Sequence, residues 1–205
     1  MTVKFIQFFD ILPDKQEEFD NFALKNYIPG MNETGLLKMV GSWRVASGEG
    51  PTHILESVAE SLNDVNNVLQ MDHIKRLNHL FHFLITNYKT KIMAPTGYLE
   101  SEIPKGTHFR FNHHYDINFE QFDQYSAFMK DDHIPTMERL GIRMVGGWYV
   151  AIGPGPNIVV EGAASSVQEI LDAIGSNEYR NLTDRLLTMV TKLGSKILAP
   201  TGLVS

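Results

Sequence analysis

The sequence contains no cysteine among its 205 residues. This absence excludes disulfides, thiol nucleophiles, iron–sulfur clusters and zinc sites built on cysteine. It also has no apolar stretch of the roughly 20 residues that a membrane-spanning helix needs. The opening residues, MTVKFIQFFDILPD, lack the apolar core and the small-residue cleavage site of a signal peptide. We therefore expect a cytoplasmic protein that does not act in or on a membrane.

Runs of basic residues are absent as well. The chain has 18 Lys and Arg against 24 Asp and Glu, a formal net charge of -6. Electrostatic binding of nucleic acid needs a basic patch or stripe, and so does a polybasic membrane anchor. The charge distribution therefore predicts neither partner. With 43% hydrophobic residues, the chain has enough apolar material for a sizeable core.

What the sequence does contain is an internal repeat. Residues 38–51 read KMVGSWRVASGEGP and residues 143–156 read RMVGGWYVAIGPGP, with nine of fourteen positions identical. Residues 91–97, KIMAPTG, recur as KILAPTG at 196–202, again 105 positions later. The repeat predicts two similar halves, at residues 1–100 and 107–205, joined by a linker at Ser101–Gly106.

Hydrophobic periodicity and turn residues predict the order β-α-β-β-α-β in each half, which is the ferredoxin-like arrangement. In the first half we predict strands at 3–11, 37–46, 52–58 and 91–98, with helices at 14–27 and 61–89. In the second half we predict strands at 108–117, 143–152, 157–164 and 196–203. The first helix there is capped by Asn118 and ends at Pro135, and the second begins at Ser165 and is interrupted near Gly175.

The predicted fold class is therefore α+β, with tandem ferredoxin-like βαββαβ domains. Helices cover one face of each four-stranded antiparallel sheet and leave the other face bare. These bare faces can pair within one chain into a barrel-like body, or each can pair with a sheet from a second chain. In both arrangements the space between the sheets is the natural pocket.

Three features resemble the dimeric α+β-barrel superfamily: the segment VGGW at 145–148, the Gly-Pro hairpin at 153–156, and the segment ILAPT at 197–201. The NIPSNAP-like and antibiotic-biosynthesis-monooxygenase-like domains are the most similar members. NIPSNAP-like domains carry Arg-x-Tyr on the first strand, whereas this chain has His113-His114-Tyr115 and Gln7-Phe8-Phe9 there. The resemblance implies cofactor-free monooxygenases, haem-degrading or haem-dependent enzymes, small isomerases or non-catalytic proteins. Fold alone does not choose among them.

Comparison of the two halves points to a candidate site on the first strand of the second half. Asn112 and His114 stand where the first half has Ile6 and Phe8. If this face points into the barrel, it places a few polar groups on an apolar bed, which suits a small organic ligand. We predict His114 as general base, with Arg110 and Asn112 as groups that stabilise charge. The alternative is that this face is merely solvated.

Both halves also share a tryptophan and a glutamate on predicted strands. We predict Trp148 and Tyr149 as walls of the pocket, although a strand tryptophan such as Trp148 more often belongs to the core. Glu161 and its counterpart Glu56 lie on apolar strands, where an unpaired carboxylate is costly. Each either pairs with a basic residue such as Arg110 or acts as an acid or base with a raised pKa, and we include Glu161 among the ligand-binding candidates.

The histidines of the first half raise the alternative of a divalent metal or a haem. His79 and His82 are three residues apart on a predicted helix, but Asp184 and Leu187 replace them in the second half. The His-Glu-x-x-His zinc pattern is absent. We therefore predict no metal site and no cofactor, with haem or a divalent metal kept as alternatives.

The predicted function is binding of a small apolar or aromatic molecule, with conversion by a cofactor-independent monooxygenase or isomerase. The competing hypothesis is a non-catalytic, NIPSNAP-like scaffold whose polar strand face is an interaction surface. We also expect the chain to form a homodimer.

Overall fold

The strands of the protein come equally from its two halves. The structure, a computed structural model, describes residues 2–97, 99 and 109–204. Within these ranges each half forms four strands. Those of the first half are β1 (Val3–Ile11), β2 (Leu37–Ser47), β3 (His53–Ala59) and β4 (Ile85–Pro95). Those of the second are β5 (Phe109–Ile117), β6 (Arg143–Ile152), β7 (Ile158–Ala164) and β8 (Val190–Pro200). The predicted linker, Ser101–Gly106, lies outside the described residues.

The described strands form one closed antiparallel barrel in the order β1-β3-β2-β8-β5-β7-β6-β4. Each half contributes four adjacent strands in the ferredoxin-like order. The halves join at two seams, where β2 pairs with β8 and β4 pairs with β6. The two sheets therefore pair within one chain, which resolves the alternative that the sequence left open. Full closure leaves no free strand edge along the barrel wall.

The helices of the first half begin with α1 (Gln16–Phe22) and α2 (Ile28–Asn32), joined by a π-helical segment, Ala23–Tyr27. The helix therefore extends beyond the predicted end at residue 27. The predicted helix at 61–89 is wrong in its length. It is two helices, α3 (Leu62–Gln70) and α4 (Asp72–His82), separated at Met71, whose backbone is extended. Residues 85–89 belong to β4 instead.

In the second half, the first helical region continues through Pro135, where the sequence predicted its end. A 3-10 turn (Phe119–Gln121) leads into α5 (Phe122–Phe128), a π-helical segment (Met129–His133) and α6 (Ile134–Arg139). Pro135 lies in the first turn of α6, where its missing N–H is tolerated. The predicted cap is confirmed, since the Asn118 side chain accepts a hydrogen bond from the Glu120 N–H.

The second helical region of this half is also divided, as the sequence predicted. Ser166 caps α7 (Val167–Gly175) by accepting a hydrogen bond from the Glu169 N–H. Ser176 caps α8 (Asn177–Leu187) by accepting one from the Tyr179 N–H. The final strand, β8, begins at residue 190 rather than at the predicted 196, so both final strands start earlier than expected.

Buried apolar side chains form three clusters. One packs the helices of the first half against the outer face of its sheet, around Phe9, Phe19 and Phe81. A second does the same in the second half, around Phe111 and Tyr115. The third lies inside the barrel and consists of Ile6, Trp43, Ile54, Met93, Trp148, Val159 and Leu198. The predicted α+β fold class, with antiparallel sheets that pair into a barrel, is confirmed. No helix in the described part of the chain is long and apolar enough to cross a membrane.

Candidate active site

A cavity of about 330 Å³ lies inside the barrel, between the two sheets. This volume is at the small end of the range for small-molecule sites. The lining comes from both halves of the chain and includes both Gly-Pro hairpins. The lining residues are Ile6, Phe8, Trp43, Glu49, Gly50, Pro51, Ile54, Glu56, Lys89, Lys91, Met93, Asn112, His114, Pro154, Gly155, Pro156, Val159, Glu161, Lys196 and Leu198.

The burial of the lining residues distinguishes a deep end of the cavity from its mouth. The apolar lining residues at its deep end, such as Ile6, Met93 and Leu198, are buried. The hairpin residues Glu49 and Pro154 are exposed, and they mark the mouth. Between them lies a ring of half-buried residues, namely Phe8, Lys91, Asn112, His114 and Lys196. A ligand would therefore meet polar and cationic groups first and apolar walls further in.

His114 projects from β5 into this intermediate ring, as the sequence hypothesis required. The backbone of β5 pairs His114 with Gly194 on β8. A side chain at Gly194 would collide with Nε2 of His114, so this glycine provides the room that the imidazole occupies. None of the described residues forms a hydrogen bond with the imidazole. Burial lowers the pKa of His114 below 6.5, and the charges of Lys196 and Lys91 lower it further. The ring is therefore neutral near pH 7 and can accept a proton.

Asn112 and Glu161 line the same cavity and face each other across β5 and β7. The Asn112 Oδ1 atom is buried and accepts no hydrogen bond from the described residues. A buried acceptor without a donor is costly, so this oxygen is available to a ligand. Glu161 instead is occupied, because it accepts hydrogen bonds from Nζ of Lys4 at 2.6 Å and Nε1 of Trp148 at 2.8 Å.

A buried charge cluster closes the deep end of the barrel. Lys4 forms ion pairs with both Glu56 and Glu161, and all three side chains are less than 10% exposed. Burial opposes the charge of Glu56, but Lys4 and Arg110 hold its pKa below its usual range. The alternative of a raised pKa at Glu56 is therefore wrong, and the pairing hypothesis is right, with Lys4 as the partner. Burial likewise opposes the charge of Lys4, yet the two carboxylates raise its pKa overall.

The two tryptophans belong to this cluster and explain the Gly-x-Trp repeat. Nε1 of Trp43 donates to Glu56 at 3.2 Å, as Trp148 does to Glu161. A Cβ at Gly41 or Gly146 would lie 2.5 Å from the indole nitrogen two residues later. Only glycine leaves that space, so the repeated motif positions an indole donor for a buried carboxylate.

The remaining predicted residues fall outside the cavity lining. Arg110 is buried beside the cavity, with its guanidinium 5.3 Å from the ring centroid of Trp43 and no hydrogen-bond partner for Nη1 among the described residues. Trp148 lies deeper, in the interior cluster, with Nζ of Lys4 4.3 Å from its ring centroid. Tyr149 packs against the helix-side cluster on the opposite face of β6. The structure thus brings together His114, Asn112 and Glu161.

Sequence comparison missed two lysines of this site. Lys91 and Lys196 line the cavity from β4 and β8. Their Nζ atoms lie 5.8 Å and 5.5 Å from the ring centroid of Phe8. They are the first residues of the repeated segments KIMAPTG and KILAPTG, so the repeat contained the signal. Because the lysine is identical in both halves, differences between the halves do not point to it.

Two buried histidines on the helix side, His113 and His133, bear on the haem alternative. Both nitrogens of His133 lack a hydrogen-bond partner within the described residues, and burial lowers its pKa to about 4. The His113 ring centroid lies 5.7 Å away, and His113 Nε2 is 2.8 Å from the Tyr179 hydroxyl. The ring centroid of Phe128 lies 5.9 Å from that of His133. His133 is fully buried with these rings within 6 Å, so a haem does not fit beside its imidazole.

The metal alternative finds no support either. Among residues 2–97, 99 and 109–204, no group of three or more His, Asp or Glu side chains is arranged to hold a metal ion. His79 and His82 lie on α4, outside the cavity, where their rings pack edge-on against Phe83 and Tyr88.

The sequence matches no known protein family and no curated protein. Its structure is similar over nearly the whole chain to several solved structures. One is a proposed monooxygenase from Lactobacillus acidophilus NCFM, with 14% identity, a TM-score of 0.64, and coverage of 98% of this chain and 97% of that one. Another is a mutant chlorite dismutase from Candidatus Nitrospira defluvii, with 8% identity, a TM-score of 0.67 and coverage of 98% and 92%.

An anthrone oxidase-like protein is a third, with 13% identity, a TM-score of 0.62 and coverage of 98% and 91%. At these identities the likeness shows the fold alone. The chain has the ferredoxin-like α+β-barrel fold that the sequence resemblance predicted.

Proposed function

We propose that the protein binds a small apolar or aromatic molecule in the barrel cavity and converts it without a bound cofactor. One observation carries the proposal: a cavity of about 330 Å³ has apolar walls and a few convergent polar groups, including a neutral histidine. This combination is the usual form of a small-molecule site. The names of two structural neighbours, a proposed monooxygenase and an anthrone oxidase-like protein, agree with this class of reaction.

In the proposed reaction, His114 acts as general base. Its neutral imidazole takes a proton from an acidic C–H or O–H group of the ligand, and the electron pair of that bond stays on the ligand as an anion. Lys91 and Lys196 stabilise the negative charge, because both ammonium groups line the cavity beside His114. Arg110 was expected to stabilise charge on the ligand, but it does not line the cavity. We therefore assign it to the charge cluster of Glu56.

Two reactions of this anion are chemically balanced without a cofactor. In an isomerisation, the imidazolium returns the proton to a different atom of the ligand. In a monooxygenation, the anion reacts with dioxygen, and an activated CH₂ group becomes a carbonyl. One oxygen atom enters the product and the other leaves as water, so dioxygen is the only oxidant needed.

The competing scaffold hypothesis required the polar strand face to form an open interaction surface. Asn112 and His114 line the cavity instead, which favours ligand binding.

A homodimer and a cytoplasmic location remain predictions. Large apolar side chains are exposed at Phe119, Ile152 and Leu187, and a dimer would cover part of such a surface.

The experiment is a thermal-shift screen of phenols, quinones and other small aromatic compounds. A ligand of the folded state raises the melting temperature by mass action. We expect hits whose shift is lost in Ile6→Trp, because the larger side chain fills the deep end of the cavity. Conversion of a hit should disappear in His114→Gln and persist in the control His79→Gln, which alters a histidine outside the cavity. Hits that bind Ile6→Trp as well as the wild type would refute the cavity as the site.

A further inference from the structure

The lysines at the cavity are arranged as a pair across the two halves. Lys91 and Lys196 occupy matching positions in the repeat, on β4 and β8. Lys91 is opposite Ile6 in the β1–β4 register, and Lys196 is opposite Asn112 in the β5–β8 register. Ile6 and Asn112 are themselves matching positions. The two ammonium groups therefore reach the same cavity from opposite sheets, with the ring of Phe8 within 6 Å of both.

The positive charge of this pair is not balanced inside the cavity. In the described part of the chain neither lysine forms an ion pair, whereas Lys192, on the same strand as Lys196, pairs with Asp116. A third lysine, Lys89, also lines the cavity and is exposed. Two acidic groups lie near these lysines. Glu49 is exposed on the hairpin and attracts Lys196 without forming an ion pair with it. Asp116 attracts Lys91, but its ion pair is with Lys192. The mouth thus keeps a net positive charge.

The acidic groups at the deep end do not balance this charge either. Glu56 and Glu161 are held by Lys4, and Arg110 adds a further positive charge beside Glu56. Half-buried ammonium groups without a counter-ion are costly, and the cost is relieved when an anion binds between them. In agreement, burial lowers the pKa of Lys91, and the charge of Lys196 lowers it further.

We infer that the ligand of this cavity is an organic oxyanion, a carboxylate or a phosphate, that Lys91 and Lys196 hold by its charged group while its apolar body fills the deep end. This inference rests on the proposed function, because it names the chemical class of the ligand of the same cavity. Phe8, between the lysines and the apolar walls, packs against the first part of that body. Asn112 and His114 lie beside the same passage, so the atoms next to the anionic group are the ones placed for chemistry.

The test compares matched probes by isothermal titration calorimetry on the full chain. The probes are 2-naphthoate, 2-naphthyl phosphate and the neutral 2-naphthamide, which share one apolar body. We expect one or both anions to bind the wild type at least tenfold more tightly than the amide, since charge-assisted hydrogen bonds are stronger than neutral ones. This preference should shrink about tenfold or more in Lys91→Met and in Lys196→Met, and should weaken as salt is added.

Lys38→Met serves as the control, because Lys38 is an exposed strand lysine that does not line the cavity. It should leave all three affinities unchanged. The melting temperature without ligand is a second measurement. Lys91→Met and Lys196→Met should melt at or above the wild-type temperature, since each substitution removes an uncompensated, half-buried charge.

The outcomes separate the two claims. If the amide binds as tightly as both anions, and the lysine substitutions do not change the affinities of the anions, the oxyanion inference is overturned while the cavity remains a ligand site. If no probe binds, and no compound of the thermal-shift screen binds either, the proposed function fails and the inference fails with it. If the anions bind through lysines outside the cavity, Lys38→Met or Ile6→Trp will reveal it, and the inference is again overturned.

Discussion

Replacing Lys4 with methionine should strongly destabilise the protein. The Lys4 ammonium is the cation shared by Glu56 and Glu161, and the side chains of all three are 7–8% exposed. Methionine preserves most of the aliphatic volume, so the main effect is to leave two carboxylates buried without it. Arg110 remains near Glu56, but Glu161 keeps only the hydrogen bond from Trp148 among those in the described part of the chain. Breaking a buried ion pair costs about 3–5 kcal/mol.

For a chain of this length, such a loss corresponds to a fall in melting temperature of about 10 °C. The assay is urea unfolding followed by circular dichroism at several pH values. In wild type, the lowered pKa of Glu56 contributes stability above the unfolded pKa of about 4.3, and this is lost as the pH falls through the folded pKa. In Lys4→Met, burial of Glu56 without this cation raises its pKa instead, so the deficit should be largest at pH 7 and shrink towards pH 5.

A matched variant separates charge from packing. Adding Glu56→Gln and Glu161→Gln to Lys4→Met removes the unpaired charges, and should recover much of the lost stability because neutral amides are cheaper to bury than carboxylates. If Lys4→Met costs less than about 1 kcal/mol at pH 7, with no dependence on pH, the ion-pair cluster does not exist as described.

Two further predictions concern histidines. The His133 imidazole is buried and has no hydrogen-bond partner among the described residues. Its pKa of about 4, like that of His113 at about 3, is lowered by burial. Wild-type stability should therefore fall as the pH drops below about 6.5. His133→Leu should be at least as stable as the wild type at pH 7, and its stability should fall less steeply with pH in acid unfolding curves. An unchanged dependence of stability on pH would contradict the burial argument. For His114, an NMR titration of the imidazole should give a pKa below 6.5, and Lys196→Met should raise it by removing a nearby positive charge; no change would mean that the two side chains do not share the cavity.

Much of the barrel follows from the sequence because the repeat and strand periodicity constrain it. A bare apolar sheet face in each half needs a cover, and the other half provides one. The helix boundaries were harder to predict. The apolar pattern around residues 85–89 fits both a helix and a strand, and only pairing of β4 with β1 decides between them. Pro135 appeared to end a helix, but a π-helical segment places it in a tolerated first turn.

The candidate site was predicted in part. The replacement of Ile6 and Phe8 by Asn112 and His114 identified the strand face that lines the cavity. Differences between the two halves could not identify Lys91 and Lys196, because the two residues occupy matching positions and both are lysine. Trp148 and Tyr149 are neighbours on β6, so their side chains point to opposite faces of the sheet. The comparison could not decide which of them faces the barrel interior.

The most direct test of the account is a crystal structure of the protein with 2-naphthoate. The account predicts that the carboxylate lies between Lys91 and Lys196, with the naphthalene ring beyond Phe8, towards Trp43 and Met93. Electron density for the ligand between the sheet and the helices, beside His133, with an empty barrel, would contradict the claim that the barrel interior is the functional site.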